Sequence, residues 1–203
     1  MGSSRRLILA SGSRARREML AAAGLMFEVV PADVDEGAIR DRMRTDTPAI
    51  DAGEVAGGLA RAKALEVARR RPEARVIGAD QVLVLGDRLF EKPGDLAAAR
   101  AQLLDLRGQT HELVSAVALA EGNEVVWSTL TRAQMTMRPF SEDFLDGYLA
   151  RAGDRVTESV GAYHLEGLGL QLFDRIDGDY FTILGLPMLP LLAELRVRGV
   201  IAA

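Results

Sequence analysis

Apolar residues in this chain fall into short bursts separated by glycine, proline and charged clusters. Leu7-Ile8-Leu9-Ala10 predicts a buried strand within residues 5–11, and residues 14–23 have helical composition up to a stop at Gly24. Residues 25–30 predict a second strand that runs into the polar loop PADVDEG. Thr47-Pro48 offers a cap followed by proline at the first helical position, so the alanine-rich stretch beyond predicts a helix to about Arg71.

Residues 75–79 predict the next strand, and 82–90 a hairpin turning at Gly86-Asp87. A helix over 95–106 is closed by Gly108, and two long strands, 111–120 and 124–137, are joined by Glu121-Gly122-Asn123. Ser141-Glu142-Asp143 caps a helix reaching about Arg151. Residues 161–169 read as glycine-rich loop, 171–177 and 180–184 as a last hairpin around Gly178, and 187–198 as the closing helix. Strands and helices alternate early and hairpins dominate later. That order predicts an α/β fold with a mixed, twisted sheet and flanking helices, in one domain over residues 1–203.

Composition narrows the chemistry. A hydrophobic share of 48% supplies a core, yet no apolar run approaches the roughly 18 residues of a membrane span. The start, MGSSRRLILASGS, is too briefly apolar for a signal peptide, and Arg6 stands where a myristoylation motif needs Ser or Thr. The absence of cysteine excludes disulfides and thiolate chemistry and fits a reducing cytoplasm, the expected location. Two histidines are too few for a histidine-rich metal centre, and a net charge of −4 argues against coating nucleic acid. Arg69-Arg70-Arg71 suits the last turn of a helix, where cations favour the dipole.

Four stretches carry candidate chemistry. Ser11-Gly12-Ser13-Arg14-Ala15-Arg16-Arg17 joins a strand to a helix and offers backbone N–H groups, hydroxyls and guanidiniums suited to phosphate. It is equally a helix capped by Ser13 with exposed arginines. Asp80 is expected just past a buried strand, where ligands collect in open α/β sheets and a carboxylate can hold a metal or orient water. It is also a residue that commonly turns a chain there. A returning hairpin would bring Lys92 toward it, whereas Lys63 in its alanine-rich helix is uninformative alone. Asp33-Val34-Asp35-Glu36 is a candidate metal ligand or a solvated acidic loop. Gly167-Leu168-Gly169 lacks the third glycine and the strand-to-helix context of a dinucleotide loop, and no nucleophile elbow accompanies a serine triad.

In order along nearly the whole chain, LILASGSRARREML, VDE, the Ala-Arg-Ala-Lys-Ala helix, GADQVLVLGDRLFEKPGD, GQTHELVSAVAL, ESVGAYHLEGLG and FTILGLPM resemble the Maf family of nucleoside triphosphate pyrophosphatases. The resemblance implies a Maf/ITPase-like fold of two intimate lobes with a nucleotide in the cleft. It also implies hydrolysis of the α–β phosphoanhydride with a divalent cation, Mg²⁺ or Mn²⁺. By matching motif, Asp80 is the catalytic carboxylate and Ser11, Arg16, Lys63 and Lys92 form the phosphate cradle. Ser13 lies in the same substrate-binding motif, and Glu36 is a metal or water partner beside Asp80.

Two departures bear on the substrate. Arg14 stands where the family usually has proline, and Ala15 occupies a position at which branches differ. Gln81 and Glu166 match the pair typical of the branch that acts on 7-methyl-GTP, where the thymidine and uridine triphosphate branch has Thr and Gln. A carboxylate at 166 would accept from the guanine N1–H and 2-amino edge; its alternative is an exposed loop carboxylate. A nucleoside triphosphate is therefore the expected partner, with no nucleic acid and no membrane, and a homodimer is compatible with the chain. A competing class is a non-catalytic nucleotide sensor in cell division, to which the keeping together of Asp80, Lys63 and Lys92 is ill suited.

Overall fold

The computed structural model describes residues 5–46 and 51–202. Its seven-stranded mixed sheet has the order β2-β1-β3-β5-β6-β7, with β4 paired to β3. The strands are β1 (Leu7–Leu9), β2 (Glu28–Val29), β3 (Arg75–Leu85), β4 (Arg88–Phe90), β5 (Thr110–Glu121), β6 (Glu124–Met137) and β7 (Phe173–Asp177). The chain divides into two compact units. The first comprises residues 1–81, 114–131 and 180–203, and the second 82–113 and 132–179, so that β3, β5 and β6 each contribute to both.

In the first unit β1 is the hub. It pairs in parallel with β2 (Ile8↔Glu28) and with β3 (Leu7↔Arg75 to Leu9↔Ile77). All three β1 side chains are buried, as a strand covered on both faces requires. Helices α1 (Arg14–Ala22) and α7 (Met188–Val197) lay Leu20, Leu191 and Leu195 against Leu9, Ile77 and Leu119. Helix α3 (Ala52–Arg70) lies so close to β3 that a methyl on Gly78 would overlap the Ala60 carbonyl and the backbone of Ala64. Small residues on both surfaces permit that approach.

In the second unit β3 continues past Gln81 and turns at Gly86, whose φ of +58° suits glycine, into β4 with Leu83 opposite Phe90. Helices α4 (Leu96–Leu106) and α5 (Glu142–Ala152) are capped by Asp95 and Ser141, each accepting from a backbone N–H in the first turn. His111 is buried with its Nε2 2.8 Å from the Tyr163 hydroxyl, and Tyr163 packs edge-on against Phe173.

Several expectations change. Asp80 does not follow a strand end: β3 runs unbroken from Arg75 to Leu85, because the residues beyond Asp80 find a new partner in β4. What ends near it is the parallel pairing with β1, after Leu9↔Ile77. The polar loop after β2 holds over residues 31–35, and its last two residues, Glu36 and Gly37, open an unexpected helix, α2 (Glu36–Asp46), capped by Asp35, whose carboxylate accepts from Ala38 N at 2.9 Å. The expected strand over 180–184 is a short helix, α6 (Tyr180–Ile183), and the glycine-rich loop contains 3₁₀ turns. The Thr47-Pro48 helix start lies outside the described residues; the described part of α3 opens with Asp51 accepting from Gly53 N.

Candidate active site

The first unit gathers most of the expected site. After β1 the chain bends at Ser11, and Ser13 caps α1 by accepting from Arg16 N at 3.4 Å. Ser11 Oγ accepts from Ser13 N and from Arg16 Nη1, each at 3.2 Å, so its own hydrogen remains to donate. Of the arginines, Arg14 pairs in solvent with Glu18 and Arg17 is exposed, while Arg16 turns inward. Its guanidinium donates to the Ala79 carbonyl and the Gly185 carbonyl, both at 2.8 Å. Burial lowers the Arg16 pKa, and the negative charges of Asp80 and Glu36 oppose that. Arg16 thus ties α1 to β3 and to the residue-185 turn while holding positive charge beneath the junction.

Asp80 is buried on β3, and its Oδ1 accepts from Lys63 Nζ at 2.6 Å. The same ammonium lies 2.8 Å from Glu36 Oε1, at the first residue of α2. Two helices bring these groups to the strand: α3 through its contact at Gly78, and α2 through Met43, which packs against Gly58 of α3. Burial pushes the Asp80 carboxyl above the usual carboxylate range, against the pull of Lys63 and Arg16 and with Glu36 adding to the rise. Burial makes this carboxyl more basic than in water while the 2.6 Å bond from Lys63 favours its ionised form, a combination suited to accepting a proton.

Gln81 faces the opposite way from its neighbour, as alternation on a strand demands. Its Nε2 donates toward Ser115 Oγ, the Thr182 carbonyl and the Ile183 carbonyl, each at 3.0 Å. Ser115 also donates to the Thr182 carbonyl at 2.7 Å. Three acceptors around one nitrogen settle which end of the amide is which, leaving the carbonyl oxygen turned away from them. Gly185 closes the arrangement: its φ is +90°, and a side chain there would press on Arg16 and Gln81. Ser115, Thr182 and Gly185 escaped the sequence reading. A usable signal existed, since a lone hydroxyl in the apolar run LVSAVALA must find a partner once buried.

The structure therefore brings together Ser11, Ser13, Arg16, Glu36, Lys63, Asp80 and Gln81, with Ala15 half-buried on the first turn of α1. Lys92 and Glu166 belong to the second unit. Lys92 is exposed just past β4, and Glu166 is an exposed carboxylate 3.6 Å from His164 Nδ1. Asp33 and Asp35 do not join the cluster as ligands: Asp35 caps α2, and Asp33 donates its backbone N–H to Glu66. No group of three acidic, histidine or cysteine side chains able to hold a metal occurs among the described residues.

A family model described as Maf-like protein matches residues 6–198. The chain belongs to the Maf family. Among its Maf relatives, a nucleoside triphosphate pyrophosphatase of Bradyrhizobium diazoefficiens is 55% identical over 97% of this chain and 95% of its own length. A 7-methyl-GTP pyrophosphatase of Rhizobium etli is 51% identical over 97% of this chain and 98% of its own. Among solved structures, a HAM1 protein from Coxiella burnetii superposes with a TM-score of 0.43 at 15% identity, over 67% of this chain and 74% of that one.

Proposed function

We propose that this Maf protein hydrolyses nucleoside triphosphates between the α and β phosphates, giving a nucleoside monophosphate and pyrophosphate. The observation that carries the proposal is the Asp80–Lys63–Glu36 cluster, built beside a strand–helix junction that presents the Ser11 hydroxyl and the buried charge of Arg16. The activities named for the relatives at about half identity support it. Among the described residues no helix is long and apolar enough to cross a membrane.

In this reading Asp80 accepts a proton from the attacking water as its oxygen bonds to the α-phosphorus and the bond to the bridging oxygen breaks. Lys63 steadies the carboxylate and, with Arg16, offsets charge that moves onto the departing pyrophosphate. Ser11 donates to a phosphate oxygen, and Lys92 is a phosphate-binding candidate by motif alone. The donor set suits a divalent cation such as Mg²⁺ or Mn²⁺. Asp80 and Glu36 supply two hard carboxylates, the number such ions use when phosphate and water complete the shell. When bound, that cation would supply further charge neutralisation on the phosphates.

Base choice is the finer part of the proposal. With its nitrogen occupied, Gln81 has only a carbonyl to offer a base, and so favours a donor edge. By motif alone, Glu166 is a carboxylate of the kind a guanine, or its cationic N7-methylated form, would satisfy. The decisive experiment is a panel of ordinary and methylated triphosphates with Mg²⁺ or Mn²⁺, scored for pyrophosphate and orthophosphate separately. Pyrophosphate should appear in one step, best from guanine-type substrates, and stop with a chelator. Orthophosphate appearing through a diphosphate would overturn the reading.

A further inference from the structure

Lys63 stands where a cation shared by the two carboxylates would have to bind. Its Nζ is 2.6 Å from Asp80 Oδ1 and 2.8 Å from Glu36 Oε1, and its side chain is only 11% exposed. Metal–oxygen distances of about 2.0–2.6 Å would put a divalent ion on the same oxygens, in nearly the same space as this ammonium. Arg16 adds a second buried positive charge that interacts with both carboxylates. The two carboxylates are therefore faced by two positive charges without any metal, and a dication arriving alone would meet the Lys63 ammonium at short range, with the buried Arg16 adding to the repulsion.

We propose that Lys63 is the resident counter-ion of the Asp80–Glu36 pair, so that a divalent cation gains this site only together with the polyphosphate that accompanies it. A polyphosphate reverses the local balance: its negative charge satisfies Lys63 and Arg16, which frees carboxylate oxygens for the ion. The cation would thus enter as its phosphate complex and leave with the product rather than reside in the protein between turnovers. The identity of the polyphosphate rests on the pyrophosphatase reading above, whereas the competition between Lys63 and a metal rests on the cluster's geometry alone.

The test is Mn²⁺ binding to the full chain without nucleotide, followed by electron paramagnetic resonance and calorimetry. Wild-type protein should show no saturable Mn²⁺ site at this cluster below about millimolar concentration. Lys63→Met removes the competing charge and should bind Mn²⁺ at least about 10-fold more tightly. Adding Asp80→Asn to Lys63→Met should abolish that gain. Tight Mn²⁺ binding by the wild type that Asp80→Asn removes would overturn the proposal, and so would a folded Lys63→Met protein that binds no better. Should the lysine variant fail to fold, the wild-type titration against Asp80→Asn still decides. None of these measurements involves turnover, so they remain readable even if the protein proves to cleave a different bond.

Discussion

At the scale of single residues, two adjacent positions on one strand do opposite work. Asp80 faces the charged cluster, and replacing it by Asn keeps the shape while removing the group proposed to accept the proton. Lys63 retains Glu36 as a partner, so the fold should persist. Asp80→Asn should lower kcat by about 10²-fold or more, with a melting curve near that of the wild type. Turnover close to normal would leave Asp80 as a mere neutraliser of Lys63. Gln81 points into the Ser115–Thr182–Ile183 network, where its nitrogen serves three acceptors. Gln81→Glu places a carboxylate oxygen against two carbonyls and should cost about 1–3 kcal/mol in urea unfolding at neutral pH. The defect relative to wild type should shrink in acid, where a protonated carboxyl can donate again. A neutral effect would mean that the network tolerates a missing donor. The motif made both positions visible in the sequence, but the support beneath Gln81 was hidden because its acceptors lie 34 to 102 residues away along the chain.

At the scale of elements, the Lys63–Asp80 contact depends on how closely α3 lies on β3. Gly78→Ala would drive a methyl into the Ala60 carbonyl and the Ala64 backbone, which cannot move aside as a flexible side chain would. The strand and helix must then separate, carrying Lys63 away from Asp80. Stability should fall by about 1–3 kcal/mol. Turnover should fall as well, by up to about 10²-fold, since displacements near an ångström matter at a reacting centre. Full activity with unchanged melting would show that the contact can relax harmlessly. This dependence explains which elements were legible. The capped helices α4 and α5 and the long hairpin of β5 and β6 carry local signals and matched expectation. Helix α2 did not, because EGAIRDRMRTD offers only Ile39 and Met43 as an apolar stripe. The segment Tyr180–Ile183 has the aromatic and β-branched composition of a strand, yet forms a helical turn. Its Thr182 and Ile183 carbonyls are turned toward the Gln81 amide, and the left-handed Gly185 lets the chain leave. Likewise Asp80 is expected past a strand end, since nothing local announces that the strand over 75–79 and the first arm of the 82–90 hairpin are one continuous β3.

At the scale of the whole molecule, stability toward acid should be governed in part by His111, far in sequence from the charged cluster. Burial lowers its pKa to about 4, against about 6.5 in an unfolded chain. Its Nε2 meets the Tyr163 hydroxyl, and its Nδ1 is buried without a hydrogen-bond partner among the described residues. Aromatic rings of Tyr163 and Phe173 surround it, so a second proton would bring charge into an apolar setting. Between about pH 6.5 and pH 4 the unfolded chain therefore binds more protons than the folded one, and stability drops as pH falls through this window. The full shift corresponds to a loss of roughly 3 kcal/mol. Asp80 acts with the opposite sign: its raised pKa favours the folded state in acid and withdraws that support as pH rises. A comparison is needed to isolate the histidine. His111→Gln keeps a polar group toward Tyr163 but cannot titrate, and it leaves Asp80 as it is. Urea unfolding of both proteins at several pH values from 7.5 to 4 should give a flatter curve for the variant, and the difference should open between pH 6.5 and 4. Parallel curves would mean that His111 is protonated in the folded protein after all, with water or a shifted backbone carbonyl meeting its Nδ1.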